Sequence, residues 1–333
     1  GLKLIEPSII KNALAGVDGQ MSFKPLGVCV VLGPFNFPCH LANGHIIPAL
    51  ILGNTIVFKP SEKTPLCGQI YAECFHEAGI PPGVFNMIHG LKEVGHRLAV
   101  HSSITGIFFT GSFEVGESIK QATSNHFWKL LALEMGGKNP IVICEDAVLN
   151  DFESILEKSV IWTSGQRCAS ASRILCHSSK LEEIKERVVE CFKKVTVGHP
   201  FDSVDNDLPK PLMGSLIDSA SIDRMIRFHG IAKREGAQCL LASEKIPLSP
   251  NGNFISPSVH LHDSIPSKSV YHNNEIFAPD VCIIPYDFDD NAIKICHEPG
   301  FGLSSSIFTE SKERFEFYFR HLKFGHINWN LPT

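Results

Sequence analysis

From about Pro25 to Pro140 the chain alternates short apolar runs with longer segments of helical periodicity. Gly27–Leu32, Asn54–Phe58, Val84–Ile88 and Gly106–Thr110 are rich in Val, Ile and Phe and bounded by Gly and Pro, which predicts buried strands. Pro65–Ala78 predicts a helix, with Thr64 as N-cap, Pro65 at the first helical position, Gly79 just past the end and Pro81-Pro82 beyond. Strands separated by helices pair in parallel, so this half predicts a doubly wound α/β sheet with its ligand crevice at the carboxyl ends of the strands. The second half predicts a further α/β domain. It holds a helix over Asp151–Thr163 capped by Asn150, a strand over Arg173–Cys176, a charged helix over Lys180–Val195 and a loop over Val197–Pro211.

Composition narrows the class of partner. A length of 333 residues suits about two domains. The net charge of −5 offers no basic field for nucleic acid or an anionic membrane surface, which favours a small or weakly charged ligand. No apolar run approaches the roughly 20 residues that span a bilayer. The 11 cysteines include no CxxC pair and the 16 histidines no HExxH pair. This spacing supports neither a disulfide framework nor a metal site, and points to thiols in a reducing, cytoplasmic compartment.

Chemistry concentrates in a few segments. In Gly165-Gln166-Arg167-Cys168 a cysteine follows an apolar helical segment among small and polar residues, a setting for an exposed nucleophile, although most cysteines are structural. Glu134 ends an apolar strand-like run and enters the Gly136-Gly137 turn, where a carboxylate can project into a cleft as a base. Asn36 lies in a proline-fixed apolar loop directly after the first strand and can donate to an oxyanion, or satisfy loop backbone groups, the commoner job for such an asparagine. Lys59 and Glu62 sit at the carboxyl end of a strand, as ribose ligands or as solvated charges. Gly111, Ser112 and Gly116 open a helix after a strand, facing a pyrophosphate or forming a plain turn. Glu275 and Phe277 form a carboxylate–aromatic pair that is uninformative alone.

Taken together and in this order, these segments resemble the aldehyde dehydrogenase superfamily, from about Gly27 to the last residue. Phe35-Asn36-Phe37-Pro38, Asn43-Gly44-His45-Ile46, Glu134-Met135-Gly136-Gly137 and Asn328-Trp329-Asn330 look most like its branch acting on N-succinylglutamate 5-semialdehyde. The resemblance implies a Rossmann-like NAD-binding domain over residues 1–137 and a catalytic α/β domain over 138–333. It makes Cys168 the nucleophile, Glu134 the general base, and Asn36 the oxyanion donor together with the Cys168 backbone N–H. Lys59 and Glu62 then hold the adenosine ribose, Gly111, Ser112 and Gly116 the phosphates, and Glu275 and Phe277 the nicotinamide ribose and ring. NAD is expected over NADP, because Glu62 would repel a 2′-phosphate.

The resemblance also implies a homo-oligomeric full-length enzyme and a chain cut at both ends. An enzyme for another small or acidic semialdehyde, or an inactive fragment serving as an assembly module, are the alternatives. Ala278 and Asp280 depart from the family pattern, in which Gly and an apolar residue are usual, and Lys138 stands where the succinylglutamate branch tends to have Asn. Ala169-Ser170 also stand where the succinylglutamate branch typically carries Thr-Cys.

Overall fold

A computed structural model describes residues 6–201, 210–248, 252–266 and 268–333. The chain divides into two compact units, Gly1–Met135 and Gly136–Thr333. Unit 1 begins with an antiparallel hairpin, β1 (Ser8–Leu14) and β2 (Val17–Met21), turning at Gly16 in the left-handed region (φ 75°). Its apolar residues Ile9, Ile10, Leu14, Val17 and Met21 are exposed.

The alternation then builds β3 (Val28–Leu32), α1 (His40–Ile51), β4 (Thr55–Lys59), α2 (Pro65–Glu77), β5 (Phe85–Met87), α3 (Lys92–Val100), β6 (Ile104–Gly111), α4 (Phe113–Ala122) and β7 (Leu130–Met135). The strands form one parallel sheet in the order β5-β4-β3-β6-β7. Val28-Cys29-Val30-Val31-Leu32 is apolar throughout because both its faces are covered. Cys29 and Val31 pack with Ala42, Ile46 and Phe58 on one face; Val30 and Leu32 pack with Ala99, Ile107 and Ile119 on the other. The chain winds outward from β3 through β4 and β5, then returns to the far side of β3 at β6. The reversal of strand order therefore falls between β3 and β6, where a doubly wound sheet opens its crevice.

Unit 2 continues with β8 (Asn139–Ile143), α5 (Phe152–Leu156), β9 (Ala171–His177), α6 (Leu181–Lys193), α7 (Ser219–Arg234), β10 (Gln238–Leu241), β11 (Ser258–Leu261), α8 (Val270–Asn273), β12 (Asp280–Tyr286), α9 (Asp289–His297), β13 (Ser304–Phe308), α10 (Lys312–His321) and β14 (His326–Trp329). Its sheet runs β10-β11-β12-β9-β8-β13-β14, parallel except for the antiparallel edge strand β10. The period of two again sorts the side chains. Ile141, Ile174 and Val281 pack with α6 residues on one face, and Val142, Leu175 and Cys282 with Met225 and Ala292 on the other.

The predicted helix over Asp151–Thr163 is not continuous. α5 ends at Leu156, a π-helical turn covers Glu157–Ile161, and a 3-10 turn covers Trp162–Gly165. Within it Thr163, Ser164 and Gly165 are left-handed in succession (φ 60°, 55° and 67°). The N-cap is Asp151, itself left-handed at φ 53°, rather than Asn150. Thr64 is the N-cap of α2 as predicted, without a side-chain capping bond. Of the loop predicted over Val197–Pro211, residues 202–209 lie outside the described residues; beside them Val197 bridges Met213.

Candidate active site

In unit 1 the predicted site residues gather at the carboxyl edge of the sheet. β3 runs into Gly33, whose N–H donates to the Lys59 carbonyl at 3.0 Å, and so ties the Asn36 loop to the end of β4. A Cβ on Gly33 would stand 3.0 Å from the Phe58 ring, so the loop leaves the strand through a space only glycine fills comfortably. Phe35, next to Asn36, lies under the Lys63 ammonium at 5.5 Å. Lys59 is buried, with Nζ donating to the Pro60 carbonyl at 3.0 Å and 3.6 Å from Glu62, which is half exposed. It is therefore not the solvated loop charge that the sequence left open.

Ser112 caps α4, its Oγ accepting from the Val115 N–H at 3.4 Å. A side chain at Gly116 would collide with Met135, and one at Gly111 with Phe109, so both glycines allow the helix to start tight against β6 and β7. Glu134, opposite Thr110 across β6 and β7, is exposed. His45 of α1 stacks on Phe108 at 5.3 Å, on the sheet face that Thr110 and Glu134 share by their even spacing from Phe108 and Ala132. Burial lowers the His45 imidazole, against the opposing pull of the Glu134 charge. No role for this histidine was assigned from sequence.

In unit 2 the predicted residues precede strands rather than follow them. Gly136 and Gly137 lead into β8, Cys168 into β9, and Glu275 and Phe277 into β12. The Gly137 N–H donates to Glu275 Oε1 at 2.8 Å. A Cβ on Gly136 (φ 44°) would fall 2.3 Å from Glu275 Oε2, and one on Gly137 2.4 Å from the Cys168 carbonyl. The glycine pair thus exists so that a carboxylate and the backbone of the cysteine loop can close on it.

Asn139, fully buried, completes this clamp. Its Nδ2 donates to the carbonyls of Cys168 at 2.7 Å and Ser170 at 2.9 Å, and its Oδ1 accepts from the Ser304 N–H at 3.0 Å. Arg173, also fully buried, donates to the carbonyls of Lys138 and, at 2.7 and 3.0 Å, of Ile295 and Cys296. Neither residue was singled out from sequence. An Asn at a strand start and an Arg inside a strand carry no spacing signal until their buried partners are known.

The cysteine loop is held on both sides. Gln166 Oε1 accepts from the Ile217 N–H at 2.9 Å, and Arg167 donates to the Lys158 carbonyl and, at 3.4 Å, to Ser170 Oγ. Burial lowers the Arg167 guanidinium while Cys168 opposes that shift, so a fixed cation shares its field with the thiol. Gly165 lies against Ala278, whose backbone a Cβ would meet at 2.5 Å. Phe277, between the buried Ile276 and Ala278, is left-handed at φ 59°, a strained backbone of the kind that functional loops retain.

The model of the aldehyde dehydrogenase family matches residues 3–333. The chain belongs to the aldehyde dehydrogenase family. It is 36% identical over 324 residues to N-succinylglutamate 5-semialdehyde dehydrogenase of Novosphingobium aromaticivorans, covering 97% of this chain and 66% of that protein. It is 37% identical over 320 residues to the protein of the same name from Legionella pneumophila strain Paris, covering 96% and 62%. The chain thus spans somewhat under two thirds of the length of these curated relatives. Among solved structures, Escherichia coli lactaldehyde dehydrogenase superposes with a TM-score of 0.90 at 30% identity, over 98% of this chain and 67% of that one. An NAD+ complex of a Bacillus cereus aldehyde dehydrogenase gives 0.90 at 27% identity, over 99% and 65%. The α/β fold with two parallel-stranded sheets is that of the family. Among the described residues no helix is long and apolar enough to cross a membrane.

Proposed function

We propose that this chain carries the NAD-binding domain (residues 1–137) and the catalytic domain (138–333) of an NAD-dependent aldehyde dehydrogenase. The substrate assigned is N-succinylglutamate 5-semialdehyde, oxidised to N-succinylglutamate, on the strength of the two curated relatives that bear that name. The observation that carries the reaction type is the build of the Cys168 loop. A left-handed run delivers it, Asn139 and Gln166 fix its backbone, and Arg167 gives it a positive field.

The residues of unit 1 fit a dinucleotide: a strand-order reversal, a helix N-terminus beyond it, and a buried Lys59 beside Glu62. Lys59 and Glu62 would hold the adenosine ribose, with Gly111, Ser112 and Gly116 at the phosphates. Glu275 and Phe277 would meet the nicotinamide end. Bound NAD would supply the two-electron oxidant by accepting hydride. Glu62 is the charge that disfavours a 2′-phosphate and hence NADP.

The Cys168 thiolate attacks the aldehyde carbon, and the oxygen that becomes anionic is held by the Asn36 amide and the Cys168 backbone N–H. Loss of hydride from that carbon leaves a thioester on Cys168. Glu134 takes a proton from the water that attacks the thioester; the acid leaves and the thiol is restored. Eleven cysteines without a disulfide suit a reducing, cytoplasmic setting, and the exposed apolar ribbon β1–β2 supports a homo-oligomer of the full-length enzyme. The test is Cys168→Ser in an NAD-linked assay with the semialdehyde. Oxidation should vanish while NAD binding persists, and iodoacetamide should label Cys168 of the parent ahead of the other thiols. Parental turnover in Cys168→Ser would refute the nucleophile.

A further inference from the structure

Unit 2 holds a group of metal-ligand side chains that the reaction above does not use. His229 lies on α7, His260 on β11 and Asp280 at the start of β12, with their ligand atoms all within 4.8 Å of one another. His260 Nδ1 is 3.1 Å and His229 Nε2 3.5 Å from Asp280 Oδ1. The two distances to Asp280 Oδ1 bracket the edge of a tetrahedron with metal–ligand bonds of about 2.0–2.1 Å, which is about 3.3 Å, and the His229–His260 separation is within 4.8 Å.

The surroundings orient each group. Tyr271 donates its hydroxyl to Asp280 Oδ2 at 2.7 Å, while Oδ1 faces the two imidazoles and the Ser258 hydroxyl. Ser243 Oγ stands 3.2 Å from His229 Nδ1, placed to accept the N–H of the tautomer whose Nε2 can ligate. Ser258 Oγ bridges Asp280 Oδ1 at 2.5 Å and His229 Nε2 at 3.0 Å. Imidazole and carboxylate lone pairs brought together out of water repel unless protons or a cation lie among them.

We propose that His229, His260 and Asp280 form a structural site for a divalent transition-metal ion, Zn2+ by donor set and spacing, with Ser243 and Tyr271 as its supporting hydrogen-bond partners. His229, 20% exposed, gives the ion a route inward. The ion would tie α7 to β11 and β12 directly after the Glu275–Pro279 loop. The rival neutraliser of Asp280 is Lys138. Among the described residues its Nζ has no hydrogen-bond partner; it lies 5.2 Å over the Tyr271 ring and is pushed down by burial to about 8 despite the pull of Asp280.

Tag-free protein stripped with a chelator and dialysed against Zn2+ should retain about one ion per chain by elemental analysis, and its thermal midpoint should rise with free Zn2+. Co2+ in place of Zn2+ should give the visible absorption of a tetrahedral site. His229→Gln and Asp280→Asn should weaken binding at least about 100-fold, and Ser243→Ala and Tyr271→Phe by about 10–100-fold, in samples with parental circular dichroism. His229→Gln, at the most exposed ligand, keeps the test decisive if Asp280→Asn does not fold. Folded parent without stoichiometric Zn2+, or His229→Gln with parental affinity, would overturn the site and leave Lys138 to neutralise Asp280.

Discussion

The two units hold their candidate residues by different means. In unit 1 these residues lie at or just past the carboxyl ends of the strands of a doubly wound sheet, along the edge that holds its reversal of strand order, so topology brings them to one edge. In unit 2 they precede the strands, and what holds them is a buried polar clamp: Asn139 on two carbonyls of the cysteine loop, Glu275 on the Gly137 amide, Arg173 on the Lys138 carbonyl. A site placed by topology survives the loss of any one side chain as a shape. A site placed by a clamp depends on each member.

The largest effects should come from residues assigned to the chemistry. Glu134→Gln should lower steady-state turnover by about 10²–10⁴-fold while NAD affinity stays near parental, measured by kinetics and titration calorimetry. Asn36→Ala should cost about 10²–10³-fold in kcat, with a much smaller change in NAD affinity. Equal losses in kcat and cofactor affinity would mean that the loop collapsed and would blur the contrast between the units.

Asn139→Ala tests the clamp. It removes three hydrogen bonds and leaves buried carbonyls unsatisfied, so denaturant unfolding should show a loss of about 2–4 kcal/mol together with lost activity. In unit 1, Ser112→Ala loses one long capping bond at a helix N-terminus and should cost only about 0.5–1 kcal/mol. Matching costs at the two positions would erase the distinction.

Acid should weaken unit 2 through His272. Burial, then the charges of Arg173 and Lys138, lower this imidazole to about 3. Between that value and its ordinary one near 6.5 the unfolded chain binds a proton that the folded chain refuses, so stability falls as pH falls. The slope is about 1.4 kcal/mol per pH unit, or about 2 kcal/mol between pH 7 and pH 5. His272→Gln should flatten the stability profile over this interval; an unchanged slope would place the titration elsewhere.

What the sequence made legible follows the same division. The strands of unit 1 were readable because a parallel strand covered on both faces becomes a continuous apolar run between Gly and Pro, as in Val28–Leu32. The Gly-Gln-Arg-Cys and Glu-Met-Gly-Gly segments stood out through the family resemblance, which the match of the family model over residues 3–333 supports, and their roles remain as proposed above. The helix over Asp151–Thr163 was misread because helical spacing does not register a π turn or three successive left-handed residues. Asn139 and Arg173 act through partners tens of residues away, and the ligands of the proposed metal site lie on α7, β11 and β12, so no local motif could mark them. Lys138 and Asp280 did register as departures, Lys138 from the succinylglutamate branch and Asp280 from the family pattern. The structure shows that both act on Tyr271, one over its ring and one at its hydroxyl.

The central claim is that oxidation passes through a thioester on Cys168, and the most direct measurement is intact-protein and peptide mass spectrometry of Glu134→Gln quenched after mixing with NAD and aldehyde. The account predicts a fast release of about one equivalent of NADH, then stalling, with the mass of the acyl group found on the Cys168 peptide. An NADH burst with unmodified Cys168, or an acyl group on another residue, would contradict it.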